Sequence, residues 1–325
     1  MNGIINIGID VGNYDTKTPH SSTATGYSVS DKSTFGKEKE LIFNGKHYIP
    51  NTKRFPYTKD KTVNERCFIL SLFAISKELI ALAEEYIKNY SFLKTPELLQ
   101  KEISSVCEIN LGVGLPPTHI KMLADKTKSY YEVYLKNGVS YEYAGYRFFY
   151  RLNKIAVYPQ DYAAIVTNTN STIIHGYESF YGIDIGGYTA DGIAFESGQV
   201  NYDLCDSKPL GILKMYDAIC AEVEGQTGTR VTPNIIESVL MEKPTVLKPE
   251  EINIIHILAE NWANNIIGEF IQYGYEFNAY PAIFLGGGSG LLKNYIKRAL
   301  PNNVIEFYTD SRANAIGYTN LIARM

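Results

Sequence analysis

Apolar positions along the chain follow two habits. Short continuous or alternating runs read as strands, and longer stretches with an apolar residue every third or fourth position read as helices. Residues 4–11, IINIGIDV, form an apolar run that stops at Gly12-Asn13, a strand entering a turn. Residues 23–29 and 40–49 read as further strands, the latter turning at Asn44-Gly45. Helices are expected from about Asn64 to Tyr90 and over Pro96–Val106. EINLGVGLPPTHI (108–120) reads as a buried strand stopped by glycine and two prolines. Residues 130–150, YYEVYLKNGVSYEYAGYRFFY, alternate and predict a hairpin turning at Asn137-Gly138. Its aromatics could stack nucleobases, but a half-buried sheet face is the favoured reading. KIAVYPQD (154–161) reads as one more strand, ending at Pro159.

The pattern then restarts. FYGIDIG (180–186) is strand and turn, and GIAFESGQV (192–200) is expected to pair with it through Ser197-Gly198. Residues 211–224 read as helical, and Pro249 opens a long helix with apolar residues at 255, 258, 262, 266 and 270. That spacing buries one face and makes Trp262 a core residue. PAIFLGGGSGLL (281–292) is strand, glycine turn and helix, and residues 310–325 form a last helix. Underneath lies a repeat: GIDVGNYDTK at 8–17 and GIDIGGYTAD at 182–191 share five of ten residues, Gly, Ile, Asp, Gly and Tyr. Two similar α/β lobes are implied.

Composition narrows this picture. A chain of 325 residues suits two domains and a large core. A formal net charge of −4 supplies no general attraction to nucleic acid or an anionic membrane. Residues 31–66 are locally basic, with nine Lys/Arg against five Asp/Glu, a solvated face or a partner surface. Cys67, Cys107, Cys205 and Cys220 form no CxxC pair and no metal spacing, so a reducing cytoplasm is the expected setting. No signal peptide is expected at the N-terminus. The most apolar stretch, 67–83, is broken by Lys77 and Glu78 and reads as a buried helix rather than a membrane span.

An apolar strand delivering Asp-x-Gly places a carboxylate beside a turn whose backbone can approach a ligand closely, and exposed N–H groups there can cradle phosphate. Asn13, Thr16 and Lys17 in the first copy, and Gly186, Gly187 and Thr189 in the second, add donors or close approach. Asp10 and Asp184 offer negative oxygen to Mg²⁺, which keeps most of its waters and bridges substrate phosphates. Two such hairpins facing each other would hold a triphosphate from both sides. Gly286-Gly287-Gly288-Ser289-Gly290, between a strand and a helix, would let a base and ribose lie against the backbone, or simply make a tight connection. The Gly-x-x-x-x-Gly-Lys-Ser/Thr pattern is missing, which excludes the ordinary P-loop.

The order GIDVGNYDTK, VYPQD, GIDIGGYTAD, FLGGGSGLL and ANAIGY resembles the five-part nucleotide signature of the actin/Hsp70/sugar-kinase superfamily: phosphate 1, connect 1, phosphate 2, adenosine and connect 2. Asp-x-Gly-Asn followed by Thr-Lys is similar to the ParM/StbA-type plasmid-segregation actins. The resemblance implies an α/β fold of two actin-like (RNase H-like) domains, each a mixed sheet flanked by helices, with a nucleotide cleft between them. Domain I would be 1–160 with 309–325 (small subdomain about 31–66), and domain II 161–308 (small subdomain about 206–250). Gln160, after Pro159, would position the water that attacks the γ-phosphate, with Asp161 a competing neighbour. Asp184 and Asp10 would hold hydrated Mg²⁺, and Asp184 would help polarise the water. Lys17 would neutralise phosphate, Gly12 would let the backbone approach, and Asn314 and Gly317 match connect 2. Asp191 is either part of the site or a hairpin cap.

The function so implied is a slow ATPase (GTP possible) that polymerises with bound ATP, destabilises on hydrolysis and segregates plasmid DNA. Its partners would be copies of itself and a DNA-binding adaptor at a centromere-like plasmid site, with no strong direct DNA contact and no membrane. The alternatives are a sugar- or acetate-type kinase of the same fold and a non-polymerising actin-like scaffold. The kinase needs a base aimed at an acceptor hydroxyl, and the scaffold usually has a terminal amphipathic helix, for which 310–325 is too short.

Overall fold

The computed structural model describes residues 1, 3–33, 39–56 and 58–325. They form two compact units, Met1–Thr167 with Asn314–Met325, and Asn168–Ala313. Of the basic segment 31–66, residues 34–38 and 57 lie outside the description.

The first unit carries β1 (Ile4–Val11), β2 (Asp15–Lys17), β3 (Ser22–Ala24), β4 (Tyr27–Ser30), β5 (Leu41–Phe43) and β6 (Lys46–Pro50). Then come α1 (Arg66–Lys88), α2 (Pro96–Ser104), β7 (Glu108–Leu115), α3 (Ile120–Leu135), β8 (Val139–Tyr143), β9 (Tyr146–Pro159) and α4 (Tyr162–Val166). The nine strands make one sheet in the order β3-β2-β1-β7-β9-β8-β5-β6-β4. β1 runs antiparallel to β2 and parallel to β7, which is itself parallel to β9. A central strand covered on both faces must be apolar throughout, hence the run IINIGIDV. Residues 67–76 of α1 are all buried, so this helix is apolar around most of its circumference and fills the core.

The second unit carries α5 (Thr172–Gly176), β10 (Phe180–Ile185), β11 (Ala190–Glu196), β12 (Gln199–Lys208), α6 (Ile212–Thr227), α7 (Pro233–Leu240) and α8 (Pro249–Tyr273). It continues with β13 (Ala282–Leu285), α9 (Gly286–Leu291), α10 (Lys293–Ala299) and β14 (Ile305–Tyr308). Its sheet order is β12-β11-β10-β13-β14. β10 is antiparallel to β11 and parallel to β13, which is parallel to β14. The arrangement reproduces β3-β2-β1-β7-β9 of the first unit strand for strand. Pro249 occupies the first turn of α8, and the Glu251 carboxylate accepts the Lys248 N–H at 2.6 Å, a satisfied helix start. Ile255, Ile266 and Phe270 of α8 are buried as its spacing requires.

The last helix, α11 (Ala313–Ile322), seats its body on the first unit's sheet. A β-carbon on Gly8 would stand 2.0 Å from the Ala315 carbonyl oxygen, so only glycine lets the helix lie so close to β1. The Tyr318 ring is wholly buried and stacks on Tyr158 with centroids 6.0 Å apart.

Three expectations are corrected. The hairpin over 130–150 does not turn at Asn137-Gly138, because residues 120–135 are helical and bury Thr127, Tyr131 and Leu135 at four-residue spacing. Gly138, at φ +89°, follows the helix end, and the tight turn falls at Ala144-Gly145, where both residues have positive φ. Ser197-Gly198 joins β11 to β12 rather than β10 to β11. The strand expected over 23–29 divides into β3 and β4, whereas Asn44-Gly45 does turn β5 into β6.

Candidate functional site

In the first unit the sequence-marked residues gather at the carboxyl ends of β1 and β9, where ligands of open α/β sheets bind. Asp10 is 7 % exposed and pairs across the hairpin with Lys17, so both side chains share one face. Gln160 follows β9, and its side-chain amide donates to Asp10 Oδ1 at 3.0 Å. Asp161 is held elsewhere. It is fully buried at φ +67°, its N–H donates to Asn314 Oδ1 at 2.7 Å, and Asn314 donates back to its carboxylate at 3.2 Å. Connect 1 and connect 2 are thus fastened to each other, and Gln160 is the member of the pair aimed at the first turn. Gly317 of α11 lies against the backbone of Ala163, completing that junction.

Thr16 takes a different place from the one its motif suggests. It is buried, its hydroxyl bonds Thr25 at 3.1 Å, and Thr25 donates to the Gly12 carbonyl at 2.8 Å. Those hydroxyls brace the turn from inside. Asn13 accepts the Thr58 N–H on Oδ1 at 3.2 Å. The Arg54 guanidinium lies 3.4 Å over the Tyr14 ring, donates to the Tyr14 carbonyl at 2.8 Å and pairs with Asp15 at 3.2 Å. Lys61 Nζ donates to the Val11 carbonyl. Asp60 fastens the same loop to α3 through Lys126 at 2.6 Å; this bond and those from Thr62 hold its carboxyl down at about 2. Burial, with the charges of Lys59 and Lys61, pushes the nearby His119 below its ordinary value. Arg54, Thr58 and Lys61 were not singled out from the sequence; the local excess of positive charge over 31–66 was the signal for Arg54 and Lys61, and Thr58 had none.

The second unit repeats the arrangement at the ends of β10 and β13. Asp184 pairs across the hairpin with Asp191, placing two carboxylates on one face where the first unit has Asp10 and Lys17. Thr189 closes the turn through its carbonyl, which accepts the Gly186 N–H at 2.9 Å, and its hydroxyl donates to Asp191 at 2.8 Å. The start of α6 clamps the turn from behind: Gly211, Ile212 and Leu213 donate their N–H groups to the carbonyls of Tyr188, Gly186 and Gly187 at 2.9–3.1 Å. Trp262 donates to the Leu210 carbonyl at 3.1 Å, bracing that segment. Gly286 sits at φ +81°, and a β-carbon there would come 2.0 Å from Asp184 Oδ1. The glycine run therefore begins against Asp184, and Gly287 and Gly288 carry it into α9. Ser289 is fully buried and donates back to the Leu285 carbonyl, a scaffold role.

Two acidic turns on matching strands, each joined to glycine or amide groups at a sheet's carboxyl end, together with the duplicated topology, can be compared with known folds. Residues 182–298 match the C-terminal model of the archaeal MreB-like actin homologues. The chain has the actin-like fold. It aligns with the crystal structure of the archaeal actin homologue Ta0583 in complex with ADP at a TM-score of 0.71 and 18 % identity, over 99 % of this chain and 100 % of that one. A 15-stranded ParM filament from Clostridium botulinum gives 0.71 at 16 % identity, covering 100 % of both chains. ParM of Bacillus thuringiensis with ATP gives 0.64 at 13 % identity, over 99 % of each. No curated protein matches significantly by sequence. Among the described residues no cluster of three or more His, Cys, Asp or Glu could hold a metal ion, and no helix is long and apolar enough to cross a membrane.

Proposed function

We propose that this actin-like chain is a nucleotide-dependent filament protein, a slow ATPase (GTP an open alternative) that serves plasmid DNA segregation. The observation that carries it is the pair of matched acidic turns, Asp10 with Gln160 in one unit and Asp184 with Gly286 in the other, on a fold shared along its whole length with proteins solved with ADP, with ATP and as a filament. Asp10, Gly12, Asn13 and Lys17, with Gly186, Gly187 and Thr189, bind the phosphates of one nucleotide. Gly286, Gly287 and Gly288 take its nucleoside end, where missing side chains let a flat group approach the backbone.

The residues present fit a hydrated divalent cation: Asp184 and Asp191 stand opposite each other on one face, a concentration of negative charge that a cation would relieve. Asp184, supported by Asp10, would hold Mg²⁺ through water, and the ion would neutralise triphosphate charge when bound. Gln160 orients the attacking water with its amide while Asp10 fixes the direction of that amide. An amide orients water without removing its proton, which suits slow hydrolysis.

Polymerisation with bound ATP and disassembly after hydrolysis follow from this reading. Copies of the chain are the first partners, and a DNA-binding adaptor on a centromere-like site is the second, since a net charge of −4 leaves DNA holding to another protein. Light scattering and negative-stain imaging with ATP, with GTP and without nucleotide test the proposal. Nucleotide-dependent filaments at micromolar protein support it; flat scattering and empty grids throughout would sink it. A kinase of the same fold would instead transfer phosphate to a sugar or acetate panel.

A further inference from the structure

We infer that Lys61 is a phosphate-binding cation of the first turn, additional to Lys17, and that Asn13 is the positioning residue that holds the Lys61 loop in place. The inference rests on the nucleotide reading above and adds to it a residue outside every signature motif. Lys61 reaches the Val11 carbonyl, the last acceptor of β1 before the Gly12-Asn13 turn. An ammonium that already reaches the backbone of the turn has further N–H donors to offer an ionised phosphate oxygen there, and such charge-assisted bonds are about twice as strong as neutral ones.

The loop that presents Lys61 is fastened at both ends. Asn13 Oδ1 accepts the Thr58 N–H at 3.2 Å, and Asp60 is tied to Lys126 of α3 at 2.6 Å and to its own Thr62 N–H at 2.9 Å. Val11, Gly12, Asn13, Thr58 and Lys61 line a common cavity of about 30 Å³, whose wall is completed by apolar groups such as Phe55 and Leu70, so the ammonium and the turn share one small space. This arrangement also gives the asparagine a physical role: a serine or threonine at position 13 has a shorter side chain with which to reach the Thr58 amide.

Titration calorimetry on the full chain, with Mg²⁺ and with ATP, ADP and AMP as probes, decides the matter for wild type, Lys61→Met, Lys61→Arg and Asn13→Ala. Losing one charge-assisted bond predicts that Lys61→Met weakens ATP by about 10- to 100-fold. ADP should suffer less and AMP change by no more than about twofold, while Lys61→Arg recovers most of the loss. Asn13→Ala should give an intermediate loss together with faster hydrogen exchange over 58–62. ATP binding by Lys61→Met equal to wild type, equal losses for ATP and AMP, or failure of arginine to rescue would each overturn the inference. Wild-type protein that binds none of the three nucleotides would overturn the nucleotide reading itself, and the inference with it.

Discussion

At the scale of single residues, the proposed function gives the Gln160–Asp10 hydrogen bond a test that separates binding from hydrolysis. Gln160→Ala removes the amide proposed to orient water and leaves both acidic turns in place. It should slow phosphate release by about a hundredfold while nucleotide affinity stays within about twofold. A phosphate-release assay paired with calorimetry checks both halves. Asp60 sets a pH response. Lys126 and Thr62 depress its folded-state value from 3.8 to about 2, so its contribution is fully present above about pH 4 and is lost as pH falls towards 2. Protection of the amides of residues 58–62, measured relative to the unfolded-chain exchange rate at each pH, should therefore fall on that descent, and Asp60→Asn should lower it at neutral pH too. Protection that stays unchanged as pH falls through about 2 would refute this. The two acidic turns, the glycine run and Gln160 were legible at this scale because their motifs are local. Lys61 and Arg54 were not, since their meaning depends on a loop folding back over a turn some forty to fifty positions earlier in the chain.

At the scale of elements, α11 and β1 meet through the absence of a side chain. Gly8→Ala would place a β-carbon 2.0 Å from the Ala315 carbonyl oxygen and 2.7 Å from the Thr319 nitrogen, both backbone atoms of the helix that cannot swing aside. A loss of about 3 kcal/mol follows from such overpacking, measurable by urea denaturation. A shift under about 0.5 kcal/mol would show that α11 is free to move off the sheet. The displaced hairpin turn within 130–150 belongs to this scale. Its alternating tyrosines satisfied a strand period, but Thr127, Tyr131 and Leu135 also satisfied a helical one. Packing of α3 settled the choice, for Tyr131 is buried and bonds Ser71 of α1 at 2.8 Å. An ambiguous period carries no information about which neighbour will cover it.

At the scale of the whole molecule, nucleotide binding should reach Trp262. The single tryptophan braces Leu210, the next residues cap the Gly186-Gly187 turn, and any rearrangement of that turn moves the indole's partner. ATP with Mg²⁺ should alter intrinsic tryptophan fluorescence, and Trp262→Phe should abolish the signal without abolishing binding. A flat titration in a protein that calorimetry shows to be saturated would refute the coupling. By itself the sequence determined the duplication, the apolar strands that carry it, the acid at each strand end and the resemblance to an actin-like fold. Each is written within ten consecutive residues or in their order, so no distant contact is needed to read it. Only the tertiary structure decided that Gln160 rather than Asp161 bonds the acid of the first turn, that the Thr16 and Ser289 hydroxyls bond within the scaffold, and that Asp184 faces an acid where Asp10 faces a lysine. Those outcomes depend on register, burial and the partner that arrives from far along the chain, and local pattern does not encode them.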